Sequence, residues 1–125
     1  MNIHLSNTSQ EPIYLQIKNQ VKQSILRDEL KEGDSLPSMR SLAKDLRISV
    51  ITTKRAYEEL ERDGYITSVV GKGSFVAGQS TAMIHEKRLK MVEEELAAIV
   101  KESKNLNIPY QQLEELLKML YEGEE

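Results

Sequence analysis

Cysteine is absent from this 125-residue chain, which excludes disulfide bonds, thiolate metal sites and cysteine nucleophiles. Histidine is scarce. The two present, His4 and His85, lie far apart with no cluster of other ligand residues, so surface or packing roles outweigh metal ligation. No run of about 18 apolar residues occurs, and the N-terminus lacks a secretory hydrophobic stretch. Neither membrane insertion nor export is indicated, and a cytoplasmic location is expected. There is no P-loop, dinucleotide fingerprint or nucleophile elbow, and the carboxylates and hydroxyls make no acid–base or nucleophile constellation. The expectation is a non-enzyme with no catalytic residue, metal or cofactor. With 39% hydrophobic residues the chain can build one modest core plus an accessory segment.

Excess positive charge is also lacking, since the formal net charge is −3, which is not the basic footprint of a protein that coats nucleic acid. The charge is unevenly spread. Residues 1–80 hold 11 Lys and Arg against 10 Asp and Glu, whereas residues 81–125 hold 6 against 10. Between 38 and 55, Arg40, Lys44, Arg47, Lys54 and Arg55 face Asp45 alone, a local patch fit for a short site.

That patch coincides with the most informative segment. Ser38 is a good N-cap, and Leu42, Ala43 and Leu46 recur at helical spacing. Arg47, Ile48 and Ser49 make a tight turn. Ser49 caps a second helix whose Ala56, Tyr57 and Leu60 form one apolar stripe, ended at Gly64. Two short helices joined by about three residues are a helix-turn-helix. At roughly 100° per residue, Ile51, Arg55, Glu58 and Arg62 fall opposite the buried stripe, with Thr52 and Lys54 on its flanks. After Gly64 the β-branched run from Tyr65 to Val70, then Phe75 and Val76, predicts two strands. Gly71, Lys72 and Gly73 form their tip, open to close approach by a partner. The combined pattern is a winged helix-turn-helix, and such chains read double-stranded DNA.

Leu36-Pro37-Ser38-Met39-Arg40-Ser41-Leu42-Ala43, the stretch from Ile48-Ser49 through Ala56-Tyr57-Glu58-Glu59-Leu60-Glu61-Arg62-Asp63-Gly64-Tyr65-Ile66, and Gly71-Lys72-Gly73-Ser74-Phe75-Val76 resemble the DNA-binding domain of GntR-type transcriptional regulators. The likeness runs from about Pro12 to Ala77. The Ala-Tyr-Glu-Glu-Leu-Glu run and the short C-terminal segment look most like the YtrA-type branch, which has no large effector domain. This resemblance implies that Arg40 contacts DNA at its helix start, that Ser49 and Thr52 hold phosphates, and that Lys54 stands at a base-reading position. It also implies that Gly71 leads the wing, flanked by Lys72 and Gly73, into the minor groove, with Arg55 and Lys72 on the DNA backbone. Two positions depart from the pattern. Val50 stands where many members carry arginine, and the point charge of Lys54 does not reproduce an arginine's bidentate guanine contact. Ile51 offers apolar contact with a thymine methyl instead.

Upstream, residues 1–11 read as an extended arm. Pro12 opens a long helix in which Ile17, Val21 and Ile25 lie four apart, and Lys31 to Leu36 reads as a turn. Downstream, Gly78 to Thr81 is a hinge. Leu89, Val92, Leu96 and Ile99, continued by Ser103 and Leu106, make a helical stripe. Asn107 stops that helix, Pro109 starts another, and Leu113, Leu116, Leu117 and Leu120 give the second its own apolar face. About 40 residues of helix pair bury too little surface to stand alone, so a homodimer held by these positions is expected.

The expected fold is therefore mainly α with a small β-hairpin wing. Residues 1–78 would form the winged DNA-binding domain and 79–125 the helical dimerisation segment. The leading reading is a sequence-specific transcriptional regulator, a repressor binding a palindromic operator. The alternative is a winged-helix protein-interaction module, which the acidic net charge favours. Any small-molecule effector would sit between protomers or domains, because the C-terminal segment is too small to enclose a drug-sized cavity. Tyr14, Tyr57, Tyr65 and Phe75 read as core side chains.

Overall fold

The first helix, α1 (Ile13–Leu26), follows Pro12, whose φ of −57° suits a helix entry although its side chain makes no capping bond. Ile17, Val21 and Ile25 recur four apart along it, and each is at most 5% exposed. In this computed structural model, which describes residues 1–123, the remaining elements are α2 (Met39–Leu46), α3 (Val50–Arg62), β1 (Ile66–Val69), β2 (Gly73–Val76), α4 (Thr81–Asn105) and α5 (Tyr110–Glu122). Among the described residues, five helices and one two-stranded antiparallel sheet make the fold mainly α with a small β wing. The chain divides after Ile84 into two compact units, so α4 begins in one and continues in the other.

In the first unit, α3 packs against both α1 and α2. Ala56, Tyr57 and Leu60 on α3 meet Ile17 and Val21 on α1 and Leu42 and Ala43 on α2 in a shared core, each of these at most 4% exposed. Thr53 is fully buried on the same stripe. Its hydroxyl donates to the Ser49 carbonyl at 3.3 Å, which satisfies the one polar atom that burial would otherwise orphan. The sequence stripe did not include it. Tyr57 is a core residue at 1% exposure, Tyr65 is buried at 5%, and Tyr14 and Phe75 are half-buried.

Both predicted caps form. The Ser38 hydroxyl accepts from the Ser41 amide at 3.0 Å, and the Ser49 hydroxyl accepts from the Thr52 amide at 3.1 Å. Between the helices Arg47 takes a left-handed conformation, φ 58° and ψ 48°. The wing differs in detail from expectation. The Lys72 amide donates to the Val69 carbonyl at 2.9 Å, so the turn is centred on Val70 and Gly71. Gly71 lies at φ 79°, as the third residue of a type II turn requires. Gly73, expected in the tip, is instead the first residue of β2, opposite Val69.

A second difference concerns the end of the segment 31–36, read as a turn. The Asp34 amide does close a turn on the Lys31 carbonyl at 2.9 Å, with Gly33 at φ 89°, but Ser35 then bridges Phe75 and the chain from Asp34 to Leu36 runs beside β2. The Gly33 amide donates to the Val76 carbonyl at 2.9 Å, the Val76 amide to the Asp34 carbonyl at 2.8 Å, and the Leu36 amide to the Ser74 carbonyl at 2.9 Å. The hairpin is thereby tied to the segment entering α2. The N-terminal arm is also tied down, by two glutamine side chains one turn apart on α1. Gln20 bonds the His4 amide at 2.9 Å and its carbonyl at 2.7 Å, while Gln16 accepts from the Ser6 amide at 2.9 Å and donates to the carbonyls of Ser6 and Glu11.

In the second unit, Asn107 adopts a left-handed conformation at φ 61° and Pro109 precedes α5. The two helices do not close on each other along their length. An open groove of about 650 Å³ remains, lined by Leu96, Ile99, Leu113, Leu116, Leu117 and Leu120 among others. Leu89, Val92, Leu96, Ile99, Leu116, Leu117 and Leu120 are 45–75% exposed, and Leu113 is half-buried. Within the stripe Ser103 alone is buried. No helix of the described residues is long and apolar enough to cross a membrane.

Candidate nucleic-acid interface

With the apolar stripe of α3 turned inward, its opposite face looks outward. Ile51 is 80% exposed and Val50 43%, and Lys54 is exposed beside them. At the start of the helix the Ser49 and Thr52 hydroxyls lie 2.9 Å apart in a shared hydrogen bond. First-turn amides of a helix have no intrahelical acceptor, and the helix dipole adds partial positive charge there. That end of α3 is therefore donor-rich. Arg40, one residue into α2, is exposed, as are Gly71, Lys72 and Gly73 on the wing. Val70 at the turn is fully exposed.

The wing is also braced against α3. Glu61 accepts from the Ser68 amide at 3.3 Å and from its hydroxyl at 3.1 Å. Two side-chain bonds therefore tie the outer edge of β1 to the C-terminal turn of α3.

Arg55, expected to point at DNA, is anchored on the α1 side. Its guanidinium carbon sits 3.7 Å from the centroid of the Tyr14 ring, Nη2 donates to the Tyr14 hydroxyl at 3.1 Å, and Nε pairs with Glu59 at 3.3 Å. Glu59 in turn meets Lys18 at 3.2 Å, and Lys18 reaches Asp63 at 2.8 Å. The Lys18 hydrogen bonds hold the Glu59 and Asp63 carboxyls below their ordinary values, while the bond to Asp63 raises Lys18 above its own. These four-residue spacings, Tyr14 with Lys18 and Arg55 with Glu59, are visible in the sequence. Their pairing across two helices depends on the tertiary packing of α1 on α3. Among the described residues no group of three or more His, Cys, Asp or Glu is placed to hold a metal.

Residues 13–76 match the bacterial regulatory proteins of the gntR family. The HTH-type transcriptional repressor YtrA of Bacillus subtilis is 32% identical over 116 residues, which cover 93% of this chain and 89% of that protein. The chain belongs to the GntR family. Its members are transcriptional regulators rather than enzymes, and the similarity to YtrA takes in the C-terminal helices as well as the winged unit. A GntR family transcriptional regulator from Listeria monocytogenes superposes with a TM-score of 0.76 at 26% identity, covering 91% of this chain and 97% of that one. The AraR DNA-binding domain, solved in complex with operator ORX1, superposes with a TM-score of 0.53 at 26% identity over 59% of this chain and 92% of its own.

Proposed function

We propose that this GntR-family chain is a sequence-specific repressor that binds a palindromic operator as a homodimer in the cytoplasm. The observation that carries this reading is the outward face of α3. Its core stripe is fully engaged with α1 and α2, so Val50, Ile51 and Lys54 are left for the floor of a major groove. Ser49 and Thr52 at the start of the helix, with Arg40, hold phosphates, and Arg55 and Lys72 contact the backbone on either side. Gly71 and Gly73 let the wing approach the minor groove closely. Residues 1–78 serve as the reading domain and 79–125 as the dimerisation segment, through Leu89, Val92, Leu96, Ile99, Leu113, Leu116, Leu117 and Leu120. The AraR–operator complex supports DNA as the partner, and the YtrA name supports repression.

Selection of bound sequences from a random duplex pool tests the whole reading. The expected product is a pair of inverted half-sites whose centres lie about one helical turn, or a multiple of it, apart. An Ile51→Ala variant should lose preference for A·T at one position of each half-site. Failure to enrich any sequence, or a Lys54→Glu/Arg55→Glu variant that folds and still binds the selected duplex, would refute the placement.

A further inference from the structure

We propose that Tyr14 is a positioning residue for DNA binding, holding the Arg55 guanidinium at the edge of α3 so that its free side meets a phosphate. The inference rests on the DNA-reading role of α3 proposed above. Arg55 lies about 40° round α3 from Ile51 and about 100° from Lys54 on the outward face, and its contacts with Tyr14 draw the guanidinium toward α1, off the floor that Lys54 and Ile51 address and toward a groove wall. Groove walls are phosphate.

An arginine on an exposed flank ordinarily samples many rotamers, and fixing one on binding costs side-chain entropy. Here three contacts fix it beforehand. The Tyr14 ring sets the plane of the fork at 3.7 Å, the Tyr14 hydroxyl takes Nη2, and Glu59 takes Nε. Nη1 has no partner among the described residues, and the side chain remains 60% exposed, so one edge of the fork is available to an anion. Glu59 does not cancel the charge by itself, because it also answers Lys18, which in turn is shared with Asp63. Arg62, 3.9 Å from Glu59 and 3.5 Å from Asp63, makes three cations against those two carboxylates and so leaves the cluster with a net positive charge. Tyr14 is thus tied to the reading helix through a side chain rather than through the core alone.

The experiment pairs two readouts on the full chain. Without DNA, the Arg55 Nε–H proton resonance should carry a ring-current shift that survives Tyr14→Phe and vanishes in Tyr14→Leu. With the duplex recovered from the random pool, Tyr14→Leu should weaken binding about threefold to tenfold, the scale of the entropy lost when one long side chain must be immobilised on binding. It should also lower the log–log salt slope by about 0.9 per protomer, as for one lost phosphate contact. Tyr14→Phe, which keeps the ring, should retain the slope. In an Arg55→Ala background Tyr14→Leu should have no further effect, and thermal melts identify any variant that has lost its fold. An unchanged slope in Tyr14→Leu, or additive losses in the double variant, overturns the proposal while leaving the regulator reading intact. Absence of duplex binding by the wild-type chain overturns both, even if the resonance shift is present.

Discussion

Tyr57 joins the two helices of the reading unit at one point. Its ring is buried in the core stripe of α3, and its hydroxyl donates to the Pro37 carbonyl at 2.8 Å, just ahead of the Ser38 cap that starts α2. Pro37 is half-buried, so its carbonyl regains water only in part when the donor is lost, and Tyr57→Phe should cost about 1 kcal/mol, read from the denaturant midpoint at pH 7. The pH dependence has a definite sign. Burial pushes the Tyr57 phenol up to about 12, so the folded state favours the neutral form more than the unfolded chain does. Its contribution is complete below an unfolded value of about 10 and declines as pH rises from there toward the folded value. Tyr57→Phe lacks that group, and its stability should fall less steeply above pH 10. Wild-type and variant curves that stay parallel there would show that the phenol does not drive the alkaline limb. The core placement of Tyr57 could be read from the stripe Ala56, Tyr57 and Leu60. Its partner could not, because a hydrogen bond across 20 residues to a proline carbonyl leaves no local pattern.

At the scale of elements, the turn between α2 and α3 carries a local cost. Arg47 has a left-handed backbone that a non-glycine L-residue adopts at a penalty, because Cβ approaches its own carbonyl. Glycine is the residue most at ease there. Arg47→Gly should therefore raise thermal stability by the equivalent of up to about 1 kcal/mol while removing a cation from the patch before α3. If Arg47 touches a phosphate, the same variant will bind duplex less tightly and with a shallower salt slope. If it is only a solvated charge, affinity will be unchanged while Tm still rises. A fall in Tm would mean that the Arg47 side chain supports the turn in a way its backbone angles do not reveal. Helices and caps were legible in the sequence because they depend on spacings of three and four and on Ser38 and Ser49 standing at the right offsets. The pairing of residues 34–36 with β2 was not, since Gly33 and Asp34 are favoured in turns and disfavoured in strands, and only the tertiary position of β2 brings a partner alongside. The shift of the wing turn to Val70 and Gly71 was likewise hidden, because Gly71 and Gly73 fit either register. Arg55 on Tyr14 depends on helix packing, which no spacing within one helix encodes.

For the molecule as a whole, two surfaces call for opposite responses to salt. The reading face proposed for α3 would meet a polyanion, and each phosphate contact should then steepen the loss of affinity with ionic strength by about 0.9 in log–log terms. The C-terminal segment is apolar on one side and acidic in sum, with 6 Lys and Arg against 10 Asp and Glu over residues 81–125. Leu96, Ile99 and Leu117, about half exposed, flank a groove that α4 and α5 do not fill. A second copy would cover that apolar surface and bring two net-negative segments together. Salt screens this repulsion and leaves hydrophobic burial in place, so dimerisation should tighten as ionic strength rises over the range in which duplex binding weakens. Sedimentation of the intact chain at micromolar concentration should give a dimer whose dissociation constant falls with added sodium chloride. Leu96→Glu/Leu117→Glu should sediment as a monomer with the winged unit still folded, and its operator affinity should drop because each half-site must then be bound without the other. A double variant that remains dimeric would place the interface elsewhere. A dimer constant that weakens with salt would instead mark specific ion pairs, rather than the leucine face, as what joins the two copies.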